Sequence, residues 1–224
     1  MSFSNFSGTW GSITISGKIT SSATSNSSPV NIIGIGNGIS VISNADITAT
    51  GSKARGIGIE KGTLTINGGS ISVTNANSSG GIQNYGGTLT INSCNISVTE
   101  GKGVSNENNG KATINGGTIK STSPTDFTIV NDSGCTLTIT SGTMSSTNNG
   151  NGTIINSGNA TISGGTITSS GTSASTIRND GGTLTISGGT VTATGGNSAY
   201  AVNKLGGTVT VTKPPAVING KTNY

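Results

Sequence analysis

Thr63-Leu64-Thr65-Ile66 alternates polar and apolar positions, and so does Ser70-Ile71-Ser72-Val73-Thr74. A period of two is the signature of a half-buried β-strand. Leu64 and Ile66 therefore share one face, Ile71 and Val73 another, and the threonines and serines point away. A Gly-Gly or Ser-Gly corner separates the two segments. After a variable Gly/Ser/Asn stretch a third short strand follows, such as Gly81-Ile82-Gln83-Asn84, and a Gly-rich corner leads back into the next TLT segment.

This unit recurs along nearly the whole chain. Its register marks are Ile15, Ile42, Ile66, Ile91, Ile114, Ile139, Ile162, Ile186 and Val211, with successive gaps of 27, 24, 25, 23, 25, 23, 24 and 25 residues. The long first gap contains SSATSNSSPVN, which reads as a bulged loop. Three short strands and three corners per 23–25 residues describe one coil of a parallel β-solenoid, and the marks predict about nine coils. One coil cannot bury its own apolar face, but the stack can. Each inward Leu, Ile or Val then sits about 4.8 Å from its equivalent in the next coil. The core becomes a thin apolar rod.

A second column supports the same register. Asn84, Asn106, Asn131, Asn156, Asn179 and Asn203 each follow an inward Ile, Val or Ala by two positions, at spacings of 22, 25, 25, 23 and 24. Stacked amides can hydrogen-bond along the axis and satisfy turn backbone groups. The expectation is a structural asparagine ladder. Residues 1–10, holding Phe3, Phe6 and Trp10, read as an N-terminal aromatic cap; 11–212 as the solenoid; and 213–224, opening near Pro214-Pro215, as a C-terminal tail.

The repeated GGTLTISGGTVTAT and INGGTI segments resemble the right-handed parallel β-helix repeats of the pectate-lyase-like superfamily. They are most similar to the Gly/Thr-rich versions of bacterial cell-surface and carbohydrate-binding proteins. The resemblance spans about residues 11–212. It implies an all-β, right-handed parallel β-helix. The lyases of that group use acidic calcium ligands and a basic catalytic residue on one outer face, a set that finds no counterpart here.

Composition narrows the chemistry. Gly, Thr, Ser and Asn make up 135 of the 224 residues, apolar residues 29 % and aromatics 3 %. These are poor helix formers, and no run approaches the roughly 20 apolar residues of a membrane span. The net charge is +4, but the eleven basic residues are scattered. Nucleic-acid binding wants a clustered basic face with stacking aromatics. There is no histidine, which removes the commonest general base and metal ligand. MSFSNFSGTW shows no signal-peptide pattern. Cys94 and Cys135 fall at opposite ends of the first strand and two coils apart, beyond the roughly 7 Å Cα limit for a disulfide. They are expected to be unpaired and, without a base, non-catalytic.

Two surfaces are candidates for function. The second strand presents outward Thr and Ser at Thr50, Thr74, Thr99, Thr122, Thr143, Thr147, Thr166, Thr168, Thr190, Thr192 and Thr194. Flat threonine grids resemble the ice-binding faces of antifreeze solenoids, although Thr also suits any exposed sheet and Lys120, Lys111, Asp46 and Asn159 interrupt the grids. Glu107 and Asp132, one position past the asparagine column on adjacent coils, form an acidic pair. Such a pair suits calcium or glycoside hydrolysis, and equally suits solvated turns.

The leading expectation is a non-enzymatic extracellular or cell-surface module for adhesion, display or polysaccharide binding. It has no cofactor, no nucleic-acid partner and no membrane insertion, and an open C-terminal edge would permit end-to-end self-association. Ice binding through the threonine array is the alternative. A polysaccharide lyase is the least supported reading.

Overall fold

The computed structural model describes residues 13–22, 30–74, 80–212 and 214–224. The expected aromatic cap, and most of the loop expected within SSATSNSSPVN, lie outside the described residues. What is described is a parallel β-solenoid without a helix, built of three strand columns. Face three stacks nine strands, from Val30–Ile35 to Lys221–Asn223. Nine stacked strands bound eight full turns, one fewer than the number of register marks suggests, because a turn is counted between marks.

Face one comprises strands such as Thr63–Ile66, Thr88–Ile91, Lys111–Ile114 and Thr136–Ile139. Face two comprises strands such as Gly69–Thr74, Asn95–Val98, Thr118–Ser121 and Thr143–Ser146. In the first two coils a single long strand, Ile13–Ser21 and then Ile39–Thr50, runs through both faces. Later coils break at the corner, where Gly117 adopts φ 87°. Glycine takes that left-handed conformation without a Cβ penalty. A Cβ there would also stand 2.2 Å from the Cys94 carbonyl oxygen of the coil before.

The register follows the sequence pattern. Ile15, Ile42, Ile66, Ile91, Ile114, Ile139, Ile162, Ile186 and Val211 are Cα partners in one unbroken column. Those from Ile42 to Ile186 are buried. On face two, Ile47, Ile71, Ile96, Ile119, Met144, Ile167, Val191 and Ile218 stack likewise. Fully burying one such side chain stabilises by about 1.5–3 kcal/mol, so a rod of repeated Ile layers holds the fold despite the low apolar content.

The neighbouring inward column of face two changes character along the axis. It reads Ala49, Val73, Val98, then Ser121, Ser146, Ser169 and Ala193. The three serines are buried. Ser121 Oγ donates to the Gly101 carbonyl (2.7 Å), and Ser146 Oγ accepts from the Asn148 amide (3.2 Å). Ser169 Oγ has no partner.

The solenoid continues past residue 212. Val217–Asn219 pairs with Thr190–Ala193 on face two, and Lys221–Asn223 pairs with Tyr200–Lys204 on face three. Residues 214–224, expected as a tail, therefore extend the coil. The prolines occupy the turn that precedes these strands, where their missing N–H groups disturb no ladder.

Candidate functional site

The asparagine ladder is real in its central part and polar in direction. Asn84 Nδ2 donates to Asn106 Oδ1 (2.8 Å), Asn106 to Asn131 (2.9 Å), Asn131 to Asn156 (2.7 Å) and Asn156 to Asn179 (2.7 Å). Each Nδ2 also reaches backbone carbonyls of its own or the next turn, such as Gly110 O from Asn106 (3.0 Å). Ile59 occupies the register position one coil before Asn84, and Asn84 Oδ1 is buried without a donor. At the other end Asn179 Nδ2 donates to the Gly206 carbonyl (2.8 Å).

Asn203 is not a rung. Ile177 pairs with Val202, so Asn203 falls opposite outward-facing Arg178 and Lys204 opposite Asn179. Its Nδ2 donates to Ser175 Oγ instead (2.9 Å). The spacing of 24 residues from Asn179 lies within the range of the true rungs, so only strand register separates the two.

A second ladder was missed. At the exposed corner after face one, Asn92 Nδ2 donates to Asn67 Oδ1 (2.8 Å), Asn115 Nδ2 to Asn92 Oδ1 (2.9 Å) and Thr140 Oγ1 to Asn115 Oδ1 (2.8 Å). It runs toward the N-terminus, opposite to the buried one. The regular spacing of Asn67, Asn92 and Asn115 was the available signal.

The candidate threonines all lie outside the core. Thr143, Thr166 and Thr190 are consecutive Cα partners, as are Ser145, Thr168 and Thr192. One coil earlier Lys120 stands opposite Ser145, and toward the start Asp46 accepts from Ser70 Oγ (2.7 Å). The outermost position is used differently. Thr50, Thr122 and Thr194 direct their hydroxyls at backbone carbonyls of the preceding coil, Ser21, Thr99 and Ser169 (3.3–3.4 Å). Thr74, Thr99 and Thr147 hold the same outward position on their coils.

Glu107 and Asp132 each follow a paired rung, Asn106 and Asn131, and so stand on adjacent coils. Gln83 Nε2 donates to Glu107 Oε2 (2.7 Å). Burial raises the Asp132 carboxyl above its ordinary range, the Glu107 charge raises it further, and Lys102 opposes both. Among the described residues no group of three or more His, Cys, Asp or Glu side chains gathers to hold a metal. Cys94 and Cys135 are buried and unpaired. Burial, and then the Asp46 charge, pushes the Cys94 thiol up to about 12. Burial is also the main cause that raises Cys135. A protonated thiol is a weak nucleophile.

Charge is distributed by face. Arg55, Lys102, Glu107, Arg178, Lys204 and Lys221 stand on face-three strands, and Glu60, Lys61, Asp132 and Asp180 on the corner that follows. Among the described residues faces one and two carry only Lys18, Asp46, Lys111 and Lys120. On face three, Asn31, Arg55, Gly58, Ile59, Glu60, Lys61, Gln83 and Tyr85 line an open groove of about 400 Å³. That volume lies within the roughly 300–1,000 Å³ of small-ligand sites. The concavity was not anticipated, because it lies beside an outward position without a side chain: Gly58 lines it, with Gln83 as its Cα partner on the next coil.

No protein-family model matches the chain, and no curated protein or solved structure matches it.

Proposed function

We propose that this chain is a non-enzymatic, extracellular surface module, a rigid rod that binds polysaccharide along its third face. The observation that carries this reading is the segregation of side chains. Two faces are almost uncharged and hydroxylated, which keeps an all-sheet exterior hydrated. The third, with the corner that follows it, holds more than half of the charges among the described residues, the half-exposed Tyr85 and the groove. Sugar polymers are recognised by that combination, an aromatic platform beside hydrogen-bonding side chains. The non-enzymatic part rests on chemistry: no histidine, two thiols held protonated, and a Glu107 carboxylate already engaged by Gln83. The finer kinship with the right-handed pectate-lyase-like group, and with its cell-surface and carbohydrate-binding members, belongs to the same proposal.

Retention on insoluble polysaccharide, with no new reducing ends and no unsaturated products, is the expected result. Product release that depends on Glu107 or Asp132 would overturn the non-enzymatic part and favour a lyase or hydrolase. Absence of retention on every polymer tried would overturn the binding part.

A second reading is favoured by one specific feature, the in-register block Thr143, Thr166, Thr190 with Ser145, Thr168, Thr192. It is an uninterrupted hydroxyl grid over three coils of face two and would suit ice. Thermal hysteresis or inhibition of ice recrystallisation, lost on Thr168→Tyr, would support ice binding. Unchanged freezing behaviour would remove it.

A further inference from the structure

The groove on face three has a definite chemical character. In a stacked parallel sheet the outer surface is ribbed by side chains at every second position, so a depression requires positions without them. Gly58 supplies one among the residues that line the groove. Over Gly58 lies the amide of Asn31, within 2.6 Å of where a Cβ would stand.

Arg55 borders this floor. Its Nη1 donates to Asn31 Oδ1 (3.1 Å). Arg178–Asp180 is the one ion pair among the described residues, so Arg55 is paired with none of the described carboxylates. Burial lowers its pKa and the more distant Glu107 charge works the other way. A partly buried guanidinium with one neutral acceptor retains donors in a planar fork, the geometry that matches a carboxylate or a sulfate bidentately. Lys61 adds a second positive charge at the rim and Glu60 a negative one, so Arg55 is the cation the floor holds. Tyr85, 48 % exposed, offers a ring on the other side, one coil further on. Gln83 is oriented by its bond to Glu107 Oε2, which leaves its carbonyl oxygen available to a hydroxyl.

We propose that this groove is a binding subsite for an acidic sugar unit, with the sugar ring against Tyr85 and its carboxylate or sulfate on Arg55. The inference rests on the polysaccharide-binding reading above and names the class of sugar and the residues that take it.

The test uses the full chain and three soluble trisaccharides: one of uronic acids, one sulfated, and one neutral. Calorimetric titration should show binding of one or both acidic trisaccharides and at least about tenfold weaker binding of the neutral one. Arg55→Gln should remove that preference, and Tyr85→Ala should weaken the acidic ligands about fivefold to tenfold. Thermal melts of both variants should stay close to the parent; Tyr85 is half exposed, so Tyr85→Ala keeps the test valid if Arg55→Gln unfolds. The relative affinity of uronate and sulfate identifies which acid is recognised. Equal affinity for neutral and acidic trisaccharides, or full binding by Tyr85→Ala, would overturn the subsite. If the protein is retained on insoluble polysaccharide while these variants bind like the parent, the module reading survives and the groove assignment falls. If no polymer retains the protein and no trisaccharide binds, both fall.

Discussion

Asn106 Nδ2 and Asn131 Oδ1 lie 2.9 Å apart across one turn of the solenoid, and both side chains are almost fully buried, 0 % and 1 % exposed. That bond is one link of a chain in which every interior amide is acceptor to the coil before and donor to the coil after. Apolar stacking alone tolerates axial slippage, because one Ile layer resembles the next. A buried amide out of register leaves unpaired polar groups, so the ladder penalises such slips.

Asn131→Ala should therefore be costly. It removes the acceptor of Asn106 Nδ2 and two donations, to Asn156 Oδ1 (2.7 Å) and Asn159 O (3.2 Å). Each buried group left unsatisfied costs about 1–3 kcal/mol. The urea midpoint is expected to fall sharply. Asn203→Ala should shift it little, since Asn203 stands outside the ladder on a half-exposed site.

Glycine substitutions should divide by location. A Cβ at Gly110 would come 2.4 Å from Asn106 Oδ1 and 2.8 Å from Asn84 Nδ2. Gly110→Ala is expected to displace both amides and lower the melting temperature. Gly34→Ala meets open space and a backbone that alanine can adopt. It should be neutral or stabilise by about 0.4–1 kcal/mol through the unfolded state. Paired thermal melts would read both.

The buried serines give an opposed pair. Ser169 Oγ has no partner, so Ser169→Ala should stabilise the protein by removing an unsatisfied hydroxyl. Ser121→Ala should cost about 1 kcal/mol, because it breaks the bond to Gly101 O and removes the acceptor of the Ser123 amide. Equal effects of the two substitutions in denaturant titrations would contradict the assignment.

Ionisation should weaken the fold in two windows. The Asp132 carboxyl is raised above 3.8 in the fold. Its protonated form is thus favoured there, and stability falls as pH rises from the unfolded-state value through the folded one. Asp132→Asn should raise the melting temperature at pH 7, and the gain should vanish below about pH 4. The thiols act at the alkaline end. Cys94 is raised from 9.0 to about 12, so the unfolded chain ionises first and stability falls as pH climbs from about 9. At pH 8 neither thiol should react with a disulfide reagent until the protein unfolds, when both should titrate.

The positions of Ile66, Ile91 and Ile114 in one column were legible from the chain alone. A solenoid repeats the same local problem every coil, so periodicity in sequence is periodicity in space. For the same reason the strand columns, the outward threonines, the rungs from Asn84 to Asn179 and the placement of Glu107 and Asp132 on adjacent coils could be read in advance. Three features could not. Asn203 leaves the ladder because the pairing of Ile177 with Val202 shifts it by one position, a shift smaller than the ordinary variation in coil length. The strands after Pro214-Pro215 are held by partners on earlier coils, although their own sequence alternates weakly. The groove beside Arg55 joins residues of three coils around one missing side chain. Spacing along a chain reports which residues stack, but a concavity depends on what neighbouring coils leave empty, and only the assembled tertiary structure decides that.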